Sequence, residues 1–168
     1  MNRSRLMSAA VGLGLLAGSP MIATPAQAAE PTAKMTLSPV TKTVKRGATF
    51  PLTVTVNTGG QPVNAMQFYI NLPDTRLDCS SITLIPDGWP NQASIKCDTA
   101  TAALAVYSTP GGPPFNGTAK VATIRLKATN VLGKATVAFD RTKTLVASSQ
   151  DNTDILTTTN KSVITVTN

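Results

Sequence analysis

The sequence predicts an all-β domain, an antiparallel β-sandwich with jelly-roll topology. Apolar and polar residues alternate along one stretch after another, as at Phe50, Leu52, Val54 and Val56, and this period of two is typical of strands with one buried face. Turn signals rich in Gly and Pro separate the stretches, and no window has the period of an amphipathic helix. Short strands between frequent turns indicate two packed sheets.

The alternation divides the chain into about ten candidate strands. Thr and Val dominate them, which suits a pleated and half-buried surface. The turn signals include Gly59-Gly60, Pro73-Asp74, Asp87-Gly88 and Asn116-Gly117. The clearest strands are predicted at 50–56, 66–72 and 122–128, and weaker ones at 35–37, 82–85, 94–97, 103–107, 135–139, 144–147 and 163–166.

Residues 1–28 have the features of a secretory signal peptide. Arg3 and Arg5 precede an apolar run at 6–17, and Ala26-Gln27-Ala28 matches the small-x-small cleavage pattern. A membrane anchor is the alternative, but the apolar run is shorter than the roughly 20 residues that a spanning helix needs. We therefore expect a single exported domain at 29–168, acting in the extracellular space or the periplasm.

The basic residues outnumber the acidic ones, with 15 Lys and Arg against 8 Asp and Glu. They are scattered along the sequence, whereas a nucleic-acid binder usually gathers them into a patch. We therefore predict no nucleic-acid partner, although weak attraction to acidic polymers stays open. Two cysteines, Cys79 and Cys97, are expected to form a structural disulfide outside the cytoplasm.

The sequence shows no constellation of residues of the kind that catalysis usually requires. There is no His to carry a proton, Glu30 is the only Glu, and most Asp residues lie in turn-like contexts. We therefore predict that the protein is not an enzyme and has no cofactor. Asp151 and Asp154 offer hard oxygen ligands for calcium, but an Asx-rich turn explains them more simply.

Aromatic residues are few, which limits how a sugar could be bound. Trp89 lies in a predicted loop tip and is the candidate for stacking on a sugar ring, while packing over the sandwich edge is its alternative role. Tyr69 and Tyr107 fall on the polar side of their strands, so both are expected to be exposed.

Four segments resemble cohesin modules, which belong to a superfamily that also contains carbohydrate-binding modules. They are GATFPLTVTVN at 47–57, NAMQFYINLP at 64–73, NGTAKVATIRLKA at 116–128 and DNTDILTTTNKSVITV at 151–166. The resemblance implies a nine-stranded jelly roll that binds a dockerin-like protein on a flat sheet face.

We therefore predict a secreted, non-catalytic binding module with a secreted or surface protein as its partner. The alternatives are a carbohydrate-binding module acting on polysaccharide and a structural subunit of a surface layer or matrix. The predicted binding face carries Gln67, Tyr69, Asn71, Ala105, Tyr107, Thr123 and Arg125.

Overall fold

The computed structural model describes residues 32–72 and 75–168. The predicted signal peptide at 1–28 lies outside these residues, and so does the turn predicted at Pro73 and Asp74. Across the described ranges, no helix is long and apolar enough to span a membrane.

Two β-sheets pack face to face, which confirms the predicted sandwich. The described residues form 12 strands rather than about nine, numbered here in chain order. The five-stranded sheet contains, in spatial order, β11 (Leu156–Thr159), β1 (Ala33–Ser38), β3 (Thr49–Asn57), β8 (Thr118–Ala128) and β5 (Leu77–Leu84).

The second sheet has seven strands. Strand β4 lies near the middle of this sheet. It pairs with β7 on one side, and on its other side it pairs with β9 at residues 70–71 and with β10 at residues 63–67. The order is β2 (Thr41–Lys45), β12 (Lys161–Thr167), β9 (Gly133–Phe139), β4 (Val63–Asn71), β7 (Thr101–Tyr107) and β6 (Asn91–Cys97), with β10 (Leu145–Ser148) pairing β4 outside this path.

Two strand pairs are parallel, which the antiparallel prediction did not include. Strand β1 runs parallel to β11, and β2 runs parallel to β12. The side chain of Asn160, between β11 and β12, also makes two hydrogen bonds with the backbone of Leu37 in β1. The Leu37 N–H donates to Asn160 Oδ1 at 2.6 Å, and Asn160 Nδ2 donates to the Leu37 carbonyl at 3.0 Å. The first two strands are thus each joined to one of the last two, β1 to β11 in one sheet and β2 to β12 in the other.

The core lies between the sheets and is built from the inward side chains of the alternating strands. Leu52 and Ile124 enter it from the five-stranded sheet, and Phe68 and Ile70 enter it from the seven-stranded sheet. Phe68 meets Phe139 edge to face with ring centroids 6.5 Å apart. Burying each such side chain contributes about 1.5–3 kcal/mol to stability.

The predicted disulfide between Cys79 and Cys97 is present, with Cα atoms 5.2 Å apart. Cys79 belongs to β5 and Cys97 to β6, which are edge strands of different sheets. The bond therefore ties the two sheets together along one open edge of the sandwich.

Candidate functional site

The outer face of the seven-stranded sheet carries five of the seven predicted binding residues. Strand alternation turns Gln67 and Tyr69 of β4 outward beside Ala105 and Tyr107 of β7, with Gln67 directly opposite Ala105. We name this surface the tyrosine face and define it by the outward side chains of the two strands: Ala65, Gln67, Tyr69, Asn71, Ala103, Ala105 and Tyr107.

Thr123 and Arg125 do not lie on the tyrosine face, so the prediction of one face with all seven residues was wrong. Both belong to β8, in the other sheet, where Thr123 pairs with Thr53 and Arg125 pairs with Pro51. Their outward direction was inferred correctly from the alternation. A period of two shows which side of a strand a residue occupies, but it does not show which sheet the strand joins.

Small side chains surround the two tyrosines of the face. Tyr107 lies opposite Ala65 in the register, and Tyr69 lies opposite Ala103. Tyr107 is 38% exposed, whereas Tyr69 is half-buried. Because an alanine ends at its Cβ, a partner can approach the exposed Tyr107 ring from the side of Ala65.

Lys143, in the turn between β9 and β10, is fixed over the tyrosine face. Its ammonium lies 4.5 Å from the centre of the Tyr69 ring, and its carbonyl accepts a hydrogen bond from Gln67 Nε2 at 2.6 Å. The hydroxyl of the next residue, Thr144, makes two hydrogen bonds with the backbone of Tyr69. It accepts from the Tyr69 N–H at 3.1 Å and donates to the Tyr69 carbonyl at 3.2 Å. The turn is therefore held against β4.

Asp140 supplies a negative charge beside Lys143. Its Oδ1 accepts hydrogen bonds from the hydroxyl and the N–H of Thr142 at 2.7 and 3.0 Å. Its Oδ2 accepts from Asn71 Nδ2 at 3.2 Å and lies 3.7 Å from Lys143 Nζ. These contacts, the Thr142 hydroxyl foremost, hold the pKa of the Asp140 carboxyl below its ordinary value.

Asp140 and Lys143 belong to the site but were not predicted as members of it from the sequence. Asp followed by Thr two residues later is a signal for a turn closed by side-chain hydrogen bonds. That signal identifies the turn, but only the pairing of β9 and β10 with β4 brings the turn beside Tyr69.

Two depressions adjoin the tyrosine face. One, of about 300 Å³, lies between Gln67 and Tyr69 on one side and Ser94 and Lys96 of β6 on the other. The second, of about 550 Å³, lies beyond Tyr107 against the loop at 108–114. The face therefore has an open shallow site at each end of its row of tyrosines.

Trp89 is buried, so the prediction of a sugar-stacking platform at this residue was wrong. Its side chain is only 1% exposed and packs against Phe115. The loop carrying Trp89 folds down over the sandwich because the large apolar indole gains more from burial than from exposure to water.

The two calcium candidates use their Oδ1 atoms in local turns. Asp154 Oδ1 accepts from the N–H groups of Val146 and Leu156 at 2.9 and 3.0 Å. Asp151 Oδ1 accepts from the N–H and the hydroxyl of Thr153 at 3.1 and 2.8 Å. In the part of the chain that the structure describes, no three His, Cys, Asp or Glu residues gather as a metal site. Calcium binding, the weaker alternative to the Asx-rich turn in the sequence analysis, is not tested by these contacts.

Solved structures of cohesin modules share this fold. The CaCohA2 cohesin of Clostridium acetobutylicum is 17% identical with a TM-score of 0.66, and the match covers 82% of this chain and 92% of that one. The third ScaC cohesin of Acetivibrio cellulolyticus, solved in complex with the ScaB dockerin, is 14% identical with a TM-score of 0.66, over 82% and 100%.

A cohesin module from a family 33 glycoside hydrolase of Clostridium perfringens is 15% identical with a TM-score of 0.64, over 81% of this chain and 97% of that one. No protein-family model matches the sequence, and no curated protein matches it. The chain thus has the fold of cohesin modules, as the sequence resemblance predicted.

Proposed function

We propose that the chain is a non-catalytic binding module whose tyrosine face docks a protein partner. The partner is a dockerin or another secreted or surface protein. The observation that carries this proposal is the cluster formed by β4 and the turn between β9 and β10, in which Lys143 lies over Tyr69 and Asp140 contacts both Asn71 and Lys143. A cluster that is ordered before binding loses little side-chain freedom when a partner docks.

The composition of the tyrosine face supports a protein partner. Tyrosine is a common anchor of protein interfaces, and Tyr69 and Tyr107 each lie opposite an alanine of the neighbouring strand. Asp140 and Lys143 place one charge of each sign beside the anchor. The likeness in fold to cohesins that were solved in complex with dockerins adds support.

The carboxyl groups with shifted pKa support a non-catalytic role. Hydrogen bonding from the Ala100 N–H, with Lys96 nearby, holds the pKa of Asp98 below its ordinary value. The pKa of Asp140 is lowered as well. A general acid at neutral pH needs a shift in the opposite direction.

We further propose that the module works outside the cytoplasm. The Cys79–Cys97 bond supports this, because disulfides persist in oxidising compartments and are rare in reducing ones.

A polysaccharide is the second candidate ligand, favoured by one observation. Tyr107 is exposed at the rim of the depression of about 550 Å³, beside Pro110 and Pro114. A tyrosine ring at such a rim offers an apolar surface to a sugar. Trp89 no longer supports this candidate, since it is buried.

The decisive experiment is a titration of immobilised residues 29–168 with purified dockerins in the presence of calcium. The panel includes the ScaB dockerin from the solved complex described above. We expect binding by at least one member, weakened at least about tenfold by the double substitution Tyr69→Ala/Tyr107→Ala.

Arg125→Ala, on the other sheet, is the matched control and should leave dockerin binding unchanged. Equal weakening by both variants would contradict the tyrosine face as the docking site. If no dockerin binds, the same titration is repeated with polysaccharides, and self-assembly is followed by light scattering. Binding or assembly there would replace the protein-docking proposal with one of the two alternatives.

A further inference from the structure

The outer face of the five-stranded sheet is covered by hydroxyl groups in register. Ser38, Thr53, Thr123 and Thr83 are successive partners across β1, β3, β8 and β5, so their side chains form one row across the sheet. We name this surface the threonine face and define it by the outward side chains of these four strands. Neighbouring strands lie about 4.8 Å apart, which sets the spacing of hydroxyls along the row.

Four exposed cations lie on the threonine face. Lys120, Arg125 and Lys127 point outward from β8, and Lys34 points outward from β1. The structure records no ion pair for any of them among the residues it describes. Asp78 is the only acidic residue of the four strands, and it lies opposite Lys127 in the register. The face therefore has a positive stripe along β8.

The same face has almost no apolar surface to offer a partner. Phe50 is the only aromatic residue in the four strands, and its side chain is buried at 3% exposure. Neutral sugars and single-stranded nucleic acids are bound largely by stacking on aromatic rings, and protein interfaces have an apolar centre. A flat sheet also cannot enter the grooves of duplex DNA, which admit a helix or a two-stranded ribbon.

We propose that the threonine face is a second binding surface, which holds a linear polysaccharide carrying carboxylates. The positive stripe along β8 complements the negative carboxylates of such a polysaccharide. Arg125 and Lys127 are two residues apart on one strand, so their Cα atoms lie about 7 Å apart along it. An extended polyuronate lying along β8 meets these two cations in succession, while its free hydroxyls meet the Thr and Ser rows on either side.

This proposal does not depend on the tyrosine face, because the two surfaces belong to opposite sheets. The probe is polygalacturonate, titrated into residues 29–168 at low and at moderate salt. Arg125→Gln/Lys127→Gln should weaken binding about tenfold or more, since each cation close to an anionic surface contributes about a factor of five. Binding should also weaken as the salt concentration rises.

Lys134→Gln/Lys161→Gln is the matched control, because it removes the same charge from the outer side of the seven-stranded sheet. We expect it to retain nearly all binding of polygalacturonate. Methyl-esterified polygalacturonate, which lacks the charges, should not bind. Equal loss in both double variants would show attraction by net charge and overturn the proposal. So would binding of the esterified polymer, or equal binding of duplex DNA or phosphatidylserine vesicles.

Discussion

Trp89 and Phe115 pack against each other with ring centroids 4.4 Å apart and ring planes inclined at 51°. Trp89 lies in the loop between β5 and β6, and Phe115 lies in the loop between β7 and β8. Phe115 also exchanges two backbone hydrogen bonds with Val63 at 2.8 and 2.9 Å. The ring contact and the two hydrogen bonds therefore hold both loops against the start of β4.

Gly88, next to Trp89, should not tolerate a side chain. Its φ is +105°, and an added Cβ would overlap the Phe115 ring. Gly111 also has a positive φ, of +75°, but nothing lies within 4 Å of an added Cβ. In urea unfolding, we expect Gly88→Ala to lose more than about 2 kcal/mol and Gly111→Ala about 1 kcal/mol. Equal losses would contradict the packing of Phe115 on the glycine.

Trp89 is the only tryptophan, so its fluorescence reports directly on this contact. We expect emission typical of a buried indole that acrylamide quenches slowly. Phe115→Ala should shift the emission to the red and cost about 2 kcal/mol or more, because it opens a cavity beside the indole. Phe115→Leu, which keeps most of the volume, is the control. A change in native emission on adding polysaccharide would argue that Trp89 is accessible after all.

Loss of the disulfide should lower stability without changing the fold. Cys79 and Cys97 are 18 positions apart in the sequence, and closing such a loop is worth about 3 kcal/mol in the chain-entropy model. Urea unfolding of Cys79→Ser/Cys97→Ser should show this loss, while circular dichroism keeps its β-sheet spectrum. Dithiothreitol should lower the stability of the parent protein but leave the stability of the double variant unchanged. Unaltered stability would mean that packing alone joins β5 to β6.

Asp140 should make stability depend on pH in the acid range. Its pKa is lower in the folded state than in the unfolded chain, with the Thr142 hydroxyl as the first cause. The carboxylate therefore stabilises the fold above the unfolded pKa of about 3.9, and this contribution is lost as the pH falls through the lower folded value.

Melting temperatures at pH 6 and at successively lower values test this prediction. The difference between the parent protein and Asp140→Asn should be largest at pH 6 and should narrow below pH 4. Thr142→Ala, which removes the strongest donor, should reduce the acid dependence in the same direction. A difference that stays constant with pH would contradict the role given to these hydrogen bonds.

The main strands were predictable because each buries one side. Strand β3 was expected at 50–56 and spans Thr49–Asn57, and β8 was expected at 122–128 and spans Thr118–Ala128. Strand β2 was not predicted, because only Val44 among its five residues is buried. As an edge strand with a parallel partner distant in the sequence, β2 shows almost no local pattern.

The candidate site was predictable only in part. The outward direction of Tyr69, Gln67 and Tyr107 followed from the alternation alone. Assignment of Arg125 to their sheet failed because strand order depends on contacts between distant segments. The burial of Trp89 also could not be read from its neighbours, since turn residues flank buried and exposed loop side chains alike.

The parallel pairs β1–β11 and β2–β12 affect how the domain responds to tension. If Ala33 and Thr167 are pulled apart, β1 is loaded first and then β2, and each is drawn along a parallel partner, β11 or β12, because parallel strands place the pulled ends at opposite ends of the ladder. All the hydrogen bonds of each pair then bear the force together, whereas an antiparallel hairpin opens one bond at a time. The two hydrogen bonds between Asn160 and Leu37 resist the same displacement. A module of this kind can stay folded while it holds two tethered objects together.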